Sequence, residues 1–204
     1  MDQRQFVALL TGVAALVHRY SGAESVVVGT AACWSVPASE AAQAVPLALD
    51  CVADVSFREL LIEARQRYHE ALENQNYPTQ LLLQDLQQVV ATKLDTLFDV
   101  AVIFEDAQPR GATESTKLSW CFARTKSGLR CTIGYCAASY PQDLIEQLSR
   151  HFQSLLLEML RAPTTPVRSL RMMSEAELHQ LVLGNNETRS DYPRAAYGAR
   201  IVRR

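Results

Sequence analysis

The order of hydrophobic patterns in this 204-residue sequence predicts an α/β fold, a mixed sheet with helices packed on it. Three observations carry that expectation. Short apolar runs, Ser25 to Thr30 and Val100 to Phe104, are too brief for helices and are bounded by turn residues. Longer stretches with apolar residues every three or four positions alternate with them. A Lys126-Ser127-Gly128 turn parts two further apolar runs, which signals a hairpin.

Each element has a local reason. Residues 3–19 set Phe6, Leu9, Leu10, Val13, Leu16 and Val17 on one helix face, and Tyr20-Ser21-Gly22 ends it. Ser25 to Thr30 is β-branched, hence a buried strand. Residues 31–44, rich in Ala and Ser with Pro37, read as a loop. Val45 to Cys51 is a strand with Pro46 near its start, where a missing donor does least harm. Ser56 and Glu59 form a capping box that opens a helix whose stripe is Phe57, Leu60, Leu61, Ala64, Tyr68, Ala71 and Leu72. Asn74 to Pro78 breaks it, and a second helix runs through Leu81, Leu82, Leu86 and Val89.

Val100 to Phe104 is apolar throughout, which predicts a central strand covered on both faces. A polar loop at 105–116 follows, then strands at Leu118 to Ala123 and Leu129 to Cys136. Pro141 opens a helix to about Arg161, with Leu144, Leu148, Phe152, Leu155, Leu156 and Met159 facing inward. A second capping box, Ser174 and Glu177, starts a short helix over 174–183. From Gly184 the sequence becomes polar and Pro-containing, so the expected organisation is a domain at 1–183 and a linker at 184–204.

Bulk properties exclude several functions. The net charge is −2, with 48% hydrophobic and 21% charged residues, an ordinary globular balance. Arginines gather only in the tail (Arg194, Arg200, Arg203, Arg204), so no basic stripe exists to displace counterions and no nucleic-acid partner is expected. No run approaches the ~18 apolar residues of a membrane span, and no secretory leader is visible. Five cysteines without CxxC spacing (Cys33, Cys51, Cys121, Cys131, Cys136) read as buried reduced thiols of a cytoplasmic protein.

No catalytic constellation emerges. His18, His69, His151 and His179 lack metal spacing, and His69 and His151 read as surface or partly buried helix residues. There is no nucleophile elbow, and Cys131 and Cys136, five apart on one expected strand, point to opposite faces. Glu105 and Asp106 fit solvated loop acids better than a catalytic pair, and Trp34 and Trp120 fit packing. No phosphate-binding glycine loop occurs. Neither a metal nor a cofactor is expected.

An ordered set of short signatures is more informative. Ala14 to Gly22 followed by Val26 to Thr30 resembles the helix-to-strand passage opening the second lobe of nonribosomal peptide synthetase condensation domains. Val45 to Asp50 resembles that family's "LPLRVD" strand, with Ala48 where the family has arginine. Val55 to Leu61 is similar to "PSFRELL", and Asn74-Gln75-Asn76-Tyr77-Pro78 is similar to "HQDYPFE". Leu97 to Val100 resembles the end of "RNPLFQV", while Gly128-Leu129-Arg130, Ile133-Gly134-Tyr135 and Leu148 to Leu155 resemble the closing hairpin and helix. Met173 to Glu177, Asn186 to Thr188 and Asp191 to Pro193 resemble the passage into an adenylation domain.

The resemblance implies one lobe of the chloramphenicol-acetyltransferase-like sandwich. Departures from it are equally specific. The family's HHxxxDG motif, which carries its catalytic histidine, is absent from the sequence. "IGFFVNT" is replaced at Ala38 to Ala44, and "RDxSRNP" at Val90 to Thr96. The expectation is therefore a non-catalytic partial condensation domain, not an enzyme alone, with Met1 read as a start within the second lobe. It would serve as a platform for an adenylation domain in the same polypeptide, through Leu181, Leu183, Asn186, Thr188, Tyr192 and Pro193. The resemblance also implies a carrier protein as a second partner. Two alternatives stay open: half of a split condensation enzyme whose other polypeptide brings the histidine lobe, and a fragment of a complete domain.

Overall fold

A computed structural model of the chain describes residues 3–31, 44–52, 54–89, 94–105 and 116–179. In chain order the elements are α1 (Gln3–Ser21), β1 (Ser25–Ala31), β2 (Ala44–Asp50), α2 (Phe57–Glu73), α3 (Thr79–Val89), β3 (Val100–Phe104), β4 (Leu118–Thr125), β5 (Gly128–Tyr135), α4 (Gln142–Arg161), a 3-10 turn (Val167–Ser169) and α5 (Glu175–His179). The loops expected at 31–44 and 105–116 lie almost wholly outside the described residues, as do Trp34, Cys33 and the linker from Gly184.

The strands make one mixed sheet in the order β2-β1-β3-β4-β5. β1, β3 and β4 run parallel, and β2 and β5 close the two edges antiparallel. β3 is the middle strand with all five residues buried, as its unbroken apolar run requires.

Register sorts the side chains into two unlike faces. Val28, Val100 and Leu118 form one row, and Thr30, Val102, Trp120 and Ile133 the next. This large-residue face meets the helices: the Trp120 and Phe122 rings pack on Phe152 of α4, with centroids 4.9 and 5.8 Å away. The opposite face is built of smaller residues, with Gly29, Ala101, Ser119 and Gly134 in one row.

α1 touches α2, α4, β1 and β3. It is buried at Phe6, Val7 and continuously from Leu9 to Leu16, so the single apolar face expected from periodicity is too narrow. The reason lies in its small residues. Gly12 lets α4 approach so closely that a Cβ there would stand 3.2 Å from Phe152 Cε2. The Thr11 hydroxyl donates to Val7 O at 2.7 Å, so its burial strands no polar group.

α2 begins where the capping box predicts. Ser56 Oγ accepts from Glu59 N, and Glu59 Oε2 accepts from Ser56 N at 2.9 Å. Its inner residues are Phe57, Leu60, Ala64 and Tyr68, the last with its ring 5.4 Å from that of Phe6. Leu61, Ala71 and Leu72 pack on the core only in part. α3 buries none of its residues.

Beyond α4 a strap, residues 163–172, returns across the start of α2. Pro163 O accepts from Arg58 N, and Val167 N donates to Val55 O. Arg19 Nη1 donates to Val167 O at 2.8 Å and to Leu170 O at 2.9 Å, while Val167, Leu170 and Met172 are buried. The chain divides into two compact units, Met1–Met172 and Met173–Arg204. Within the second, Ser174 and Glu177 form the expected capping box at the head of α5. α5 reaches His179, and the rest of the helix expected to 183 lies outside the described residues.

Candidate functional site

The sequence around Asn74 builds a groove. α2 ends because Asn74 leaves helical geometry; its amide and its side-chain Nδ2 both donate to Glu70 O, at 3.2 and 2.8 Å. Tyr77 N then donates to Asn74 O, and Pro78 O accepts from Leu81 N and Leu82 N to launch α3. Thr79 Oγ1 donates to Ala44 O at 2.8 Å, which ties the head of α3 to the first residue of β2.

These ties leave a groove of about 480 Å³ between β2, the end of α2 and the start of α3. Of the residues singled out in the sequence, Asn74, Gln75, Tyr77 and Ala48 line it, whereas Asn76 and Pro78 do not. Sequence reasoning missed Arg67, Glu70, Thr79 and Leu82 in its walls. The position of Arg67 three residues before Glu70 was the available signal, since such pairs share a helix face; they stand 3.6 Å apart. Ala48 is exposed, opposite Val27 across the ladder, while Leu47 and Leu49 on either side are buried.

The groove's chemistry suits binding. Among the described residues its ionisable lining is Arg67, Glu70 and Tyr77, with neither histidine nor cysteine. The Tyr77 hydroxyl donates to Asp85 Oδ2 at 2.6 Å, and that bond raises its pKa, so the phenol stays protonated.

Two of the histidines make cross-element or turn contacts. His151 is 1% exposed, a correction to the surface or partly buried position expected for it; it lies between Leu148 and Phe152 on the inner stripe of α4. Its Nδ1 stands 2.7 Å from Tyr20 OH, joining α4 to α1. His18 Nδ1 donates to Ala23 O at 2.8 Å, across the turn that ends α1. His69 is exposed on α2. Glu105 pairs with Arg130 at 3.2 Å, and Asp106 lies outside the described residues. Among the described residues, no three His, Cys, Asp or Glu side chains gather as metal ligands.

The cysteines differ from the expectation of uniform burial. Cys51 is buried, Cys121 is half-buried, and Cys131 and Cys136 are exposed. Nor do Cys131 and Cys136 share a strand: β5 ends at Tyr135, and Cys136 O accepts from Ser139 N and Tyr140 N as the chain turns toward α4. The Ala138 amide and then the Ser139 hydroxyl bond the Cys136 sulfur and lower its pKa. Burial, followed by Glu63 and Asp50, pushes the Cys51 thiol up to about 12.

Leu181, Leu183, Asn186, Thr188, Tyr192 and Pro193 lie outside the described residues. No helix among the described residues is long and apolar enough to cross a membrane.

Comparison with known proteins gives one answer. The family model "Condensation domain" matches residues 7–182. Bacitracin synthase 3 of Bacillus licheniformis is 24% identical over 210 residues, covering 92% of this chain and 3% of that synthase. Gramicidin S synthase 2 of Brevibacillus brevis is 27% identical over 211 residues, covering 92% of this chain and 5% of its own length. Among solved structures, the starter condensation domain of rhizomide synthetase superposes with a TM-score of 0.70 at 20% identity, over 85% of this chain and 46% of that one. The first condensation domain of the CDA synthetase gives 0.67 at 18%, over 83% and 42%. The chain thus spans a few per cent of the curated synthetases and less than half of the solved condensation-domain chains.

Proposed function

This chain belongs to the condensation-domain family of nonribosomal peptide synthetases, and from that premise we propose that it is a non-catalytic C-terminal lobe serving as a platform for an adenylation domain. One observation carries the reading. The five-stranded sheet and its helical layer are intact, yet among the described residues the groove built around the family-like Asn74 to Tyr77 passage is lined by neither histidine nor cysteine. Ala48 supports it further, since a methyl stands where the resemblance implies a guanidinium. The absence of HHxxxDG from the sequence agrees.

The platform role is tested by joining an adenylation domain after Arg204 and comparing it with the same domain alone. Higher soluble yield or faster aminoacyl-adenylate formation in the fusion supports the reading. Equal yield and equal rate contradict it. In the fusion, substitutions at Leu181, Leu183, Asn186, Thr188, Tyr192 and Pro193 should erode the gain if these residues form the contact or the linker. The residues at 1–183 would then be the lobe and 184–204 the connection.

A second reading has its own support: half of a split condensation enzyme that needs a separate histidine-bearing lobe. The chain covers 46% of the rhizomide starter domain. Val27 is 37% exposed beside the exposed Ala48 at the β1–β2 end of the sheet, on the face opposite Trp120, a small apolar patch that a second lobe would contact. Mixing the chain with a separately expressed histidine-bearing half, with acyl and aminoacyl carrier proteins present, separates the two readings. Amide formation by the mixture favours the split enzyme, and inertness favours the platform.

A further inference from the structure

β5 is the least covered strand of the sheet. Seven of its eight residues are exposed on one face or the other, with Leu129 at 51% and Tyr135 at 37%. Among the described residues it pairs with β4 along one side only. The ladder fixes where its backbone groups point. Cys136 N donates to Lys117 O at 2.9 Å, toward the β4 side, so Gly134, Thr132 and Arg130 turn the same way. Leu129, Cys131, Ile133 and Tyr135 therefore turn their N–H and C=O groups outward, along the outer edge.

The far edge of the sheet is treated differently. Within β2, Pro46 has no N–H to offer, Ala44 O is taken by Thr79, and Asp50 N is taken by Glu63 Oε1 at 3.2 Å. Proline and side-chain capping are common means of blunting an edge. β5 has no proline and a single charge, Arg130, held at 3.2 Å by Glu105 of its own chain.

We propose that β5 is a self-association edge, on which two copies of this chain pair antiparallel about a twofold axis through Thr132. That register joins Leu129 to Tyr135, Arg130 to Gly134, Cys131 to Ile133, and Thr132 to its own mate. It satisfies three independent conditions. Outward-turned residues meet outward-turned residues, so both rows of backbone groups are paired. The one charged residue faces glycine, so like charges never stand directly opposite. Leu129, Cys131, Ile133 and Tyr135 share the face of Trp120 and Phe122, so two copies extend one apolar strip across the joint. A symmetric pair uses up both β5 edges, and the blunted β2 edges prevent further growth; the product is a dimer and not a fibre.

The test uses the 204-residue chain in sedimentation velocity from micromolar to high-micromolar concentration. The expected result is a reversible shift toward twice the monomer mass. Cys121 stands opposite Thr132 on β4, so in a Cys121→Ser, Cys131→Ser, Cys136→Ser background Thr132→Cys places two thiols, one from each copy, at a non-hydrogen-bonded pair with Cα atoms ~4.5 Å apart, within disulfide reach. It should oxidise to a covalent dimer, whereas Lys126→Cys at the hairpin tip should not. Cys131→Pro removes an outward N–H and should abolish the mass shift with unchanged thermal unfolding. Leu129→Lys, which keeps the backbone intact, should do the same if the proline variant fails to fold. A monomer at every concentration overturns the proposal, as does Thr132→Cys cross-linking no faster than Lys126→Cys. Capture of a separate condensation half-domain, lost in Leu129→Lys, by a chain that does not dimerise would also overturn it.

Discussion

The ring of Phe98 lies directly on Gly29: a methyl at position 29 would stand 2.1 Å from Phe98 Cε2. This contact joins the family-like Leu97 to Val100 passage to β1 on the sheet face opposite Trp120. Gly29→Ala should destabilise the fold by about 1–3 kcal/mol through overpacking. Adding Phe98→Ala should recover most of that loss, because the ring is what the methyl meets. Urea unfolding of both single variants and the double variant measures the coupling; additive losses would exclude the contact as the cause.

The capping box of α2 carries a pH signature. Ser56→Ala should cost about 1 kcal/mol at neutral pH. Hydrogen bonds from the Ser56 hydroxyl and then its amide hold the Glu59 carboxyl below its ordinary 4.5. A carboxyl lowered in the folded state stabilises above its unfolded pKa, and the gain disappears as pH falls through the folded value. The penalty of Ser56→Ala should therefore be constant above about pH 5 and shrink as pH falls through the lowered folded value. Paired melts from neutral pH downward measure it.

Cysteine labelling should be ordered. Cys136 is exposed with a lowered pKa, and Cys51 is buried with its thiol pushed up to about 12. At neutral pH iodoacetamide should modify Cys136 well ahead of Cys51, which should react only on unfolding. Ser139→Ala should slow the reaction at Cys136. Peptide mapping after timed quenching reads both rates.

Arg19 ties the strap to α1. Arg19→Met removes two charge-assisted bonds to Val167 O and Leu170 O, and it should cost about 2 kcal/mol. Hydrogen exchange should rise first in residues 163–172, with the β3 amides still protected. Uniform deprotection would mean that Arg19 supports the whole core and not the strap.

Periodicity and turn chemistry made the layout of this fold readable. The Ser56–Glu59 box, the apolar run of β3 and the Lys126-Ser127-Gly128 turn each act locally, so each is written in adjacent residues. What escaped depends on neighbours far along the chain. Gly12 looks neutral until α4 packs on α1. His151 follows Leu148 by three and precedes Leu155 by four, which is core spacing, but its polar identity argued for the surface until Tyr20 supplied a partner. The groove is a tertiary product: Asn74 and Tyr77 were visible as a family-like passage, yet its wall at β2 required the Thr79 to Ala44 tie.

If the proposed function holds, the framework of a condensation domain persists here without the groups that move protons. The most direct measurement presents purified chain, with no other protein, with an acyl thioester and an aminoacyl thioester, and follows amide by mass spectrometry. The expected rate equals that of buffer, and His151→Ala leaves it unchanged. Amide formation above buffer that His151→Ala or Tyr77→Phe abolishes would contradict the account.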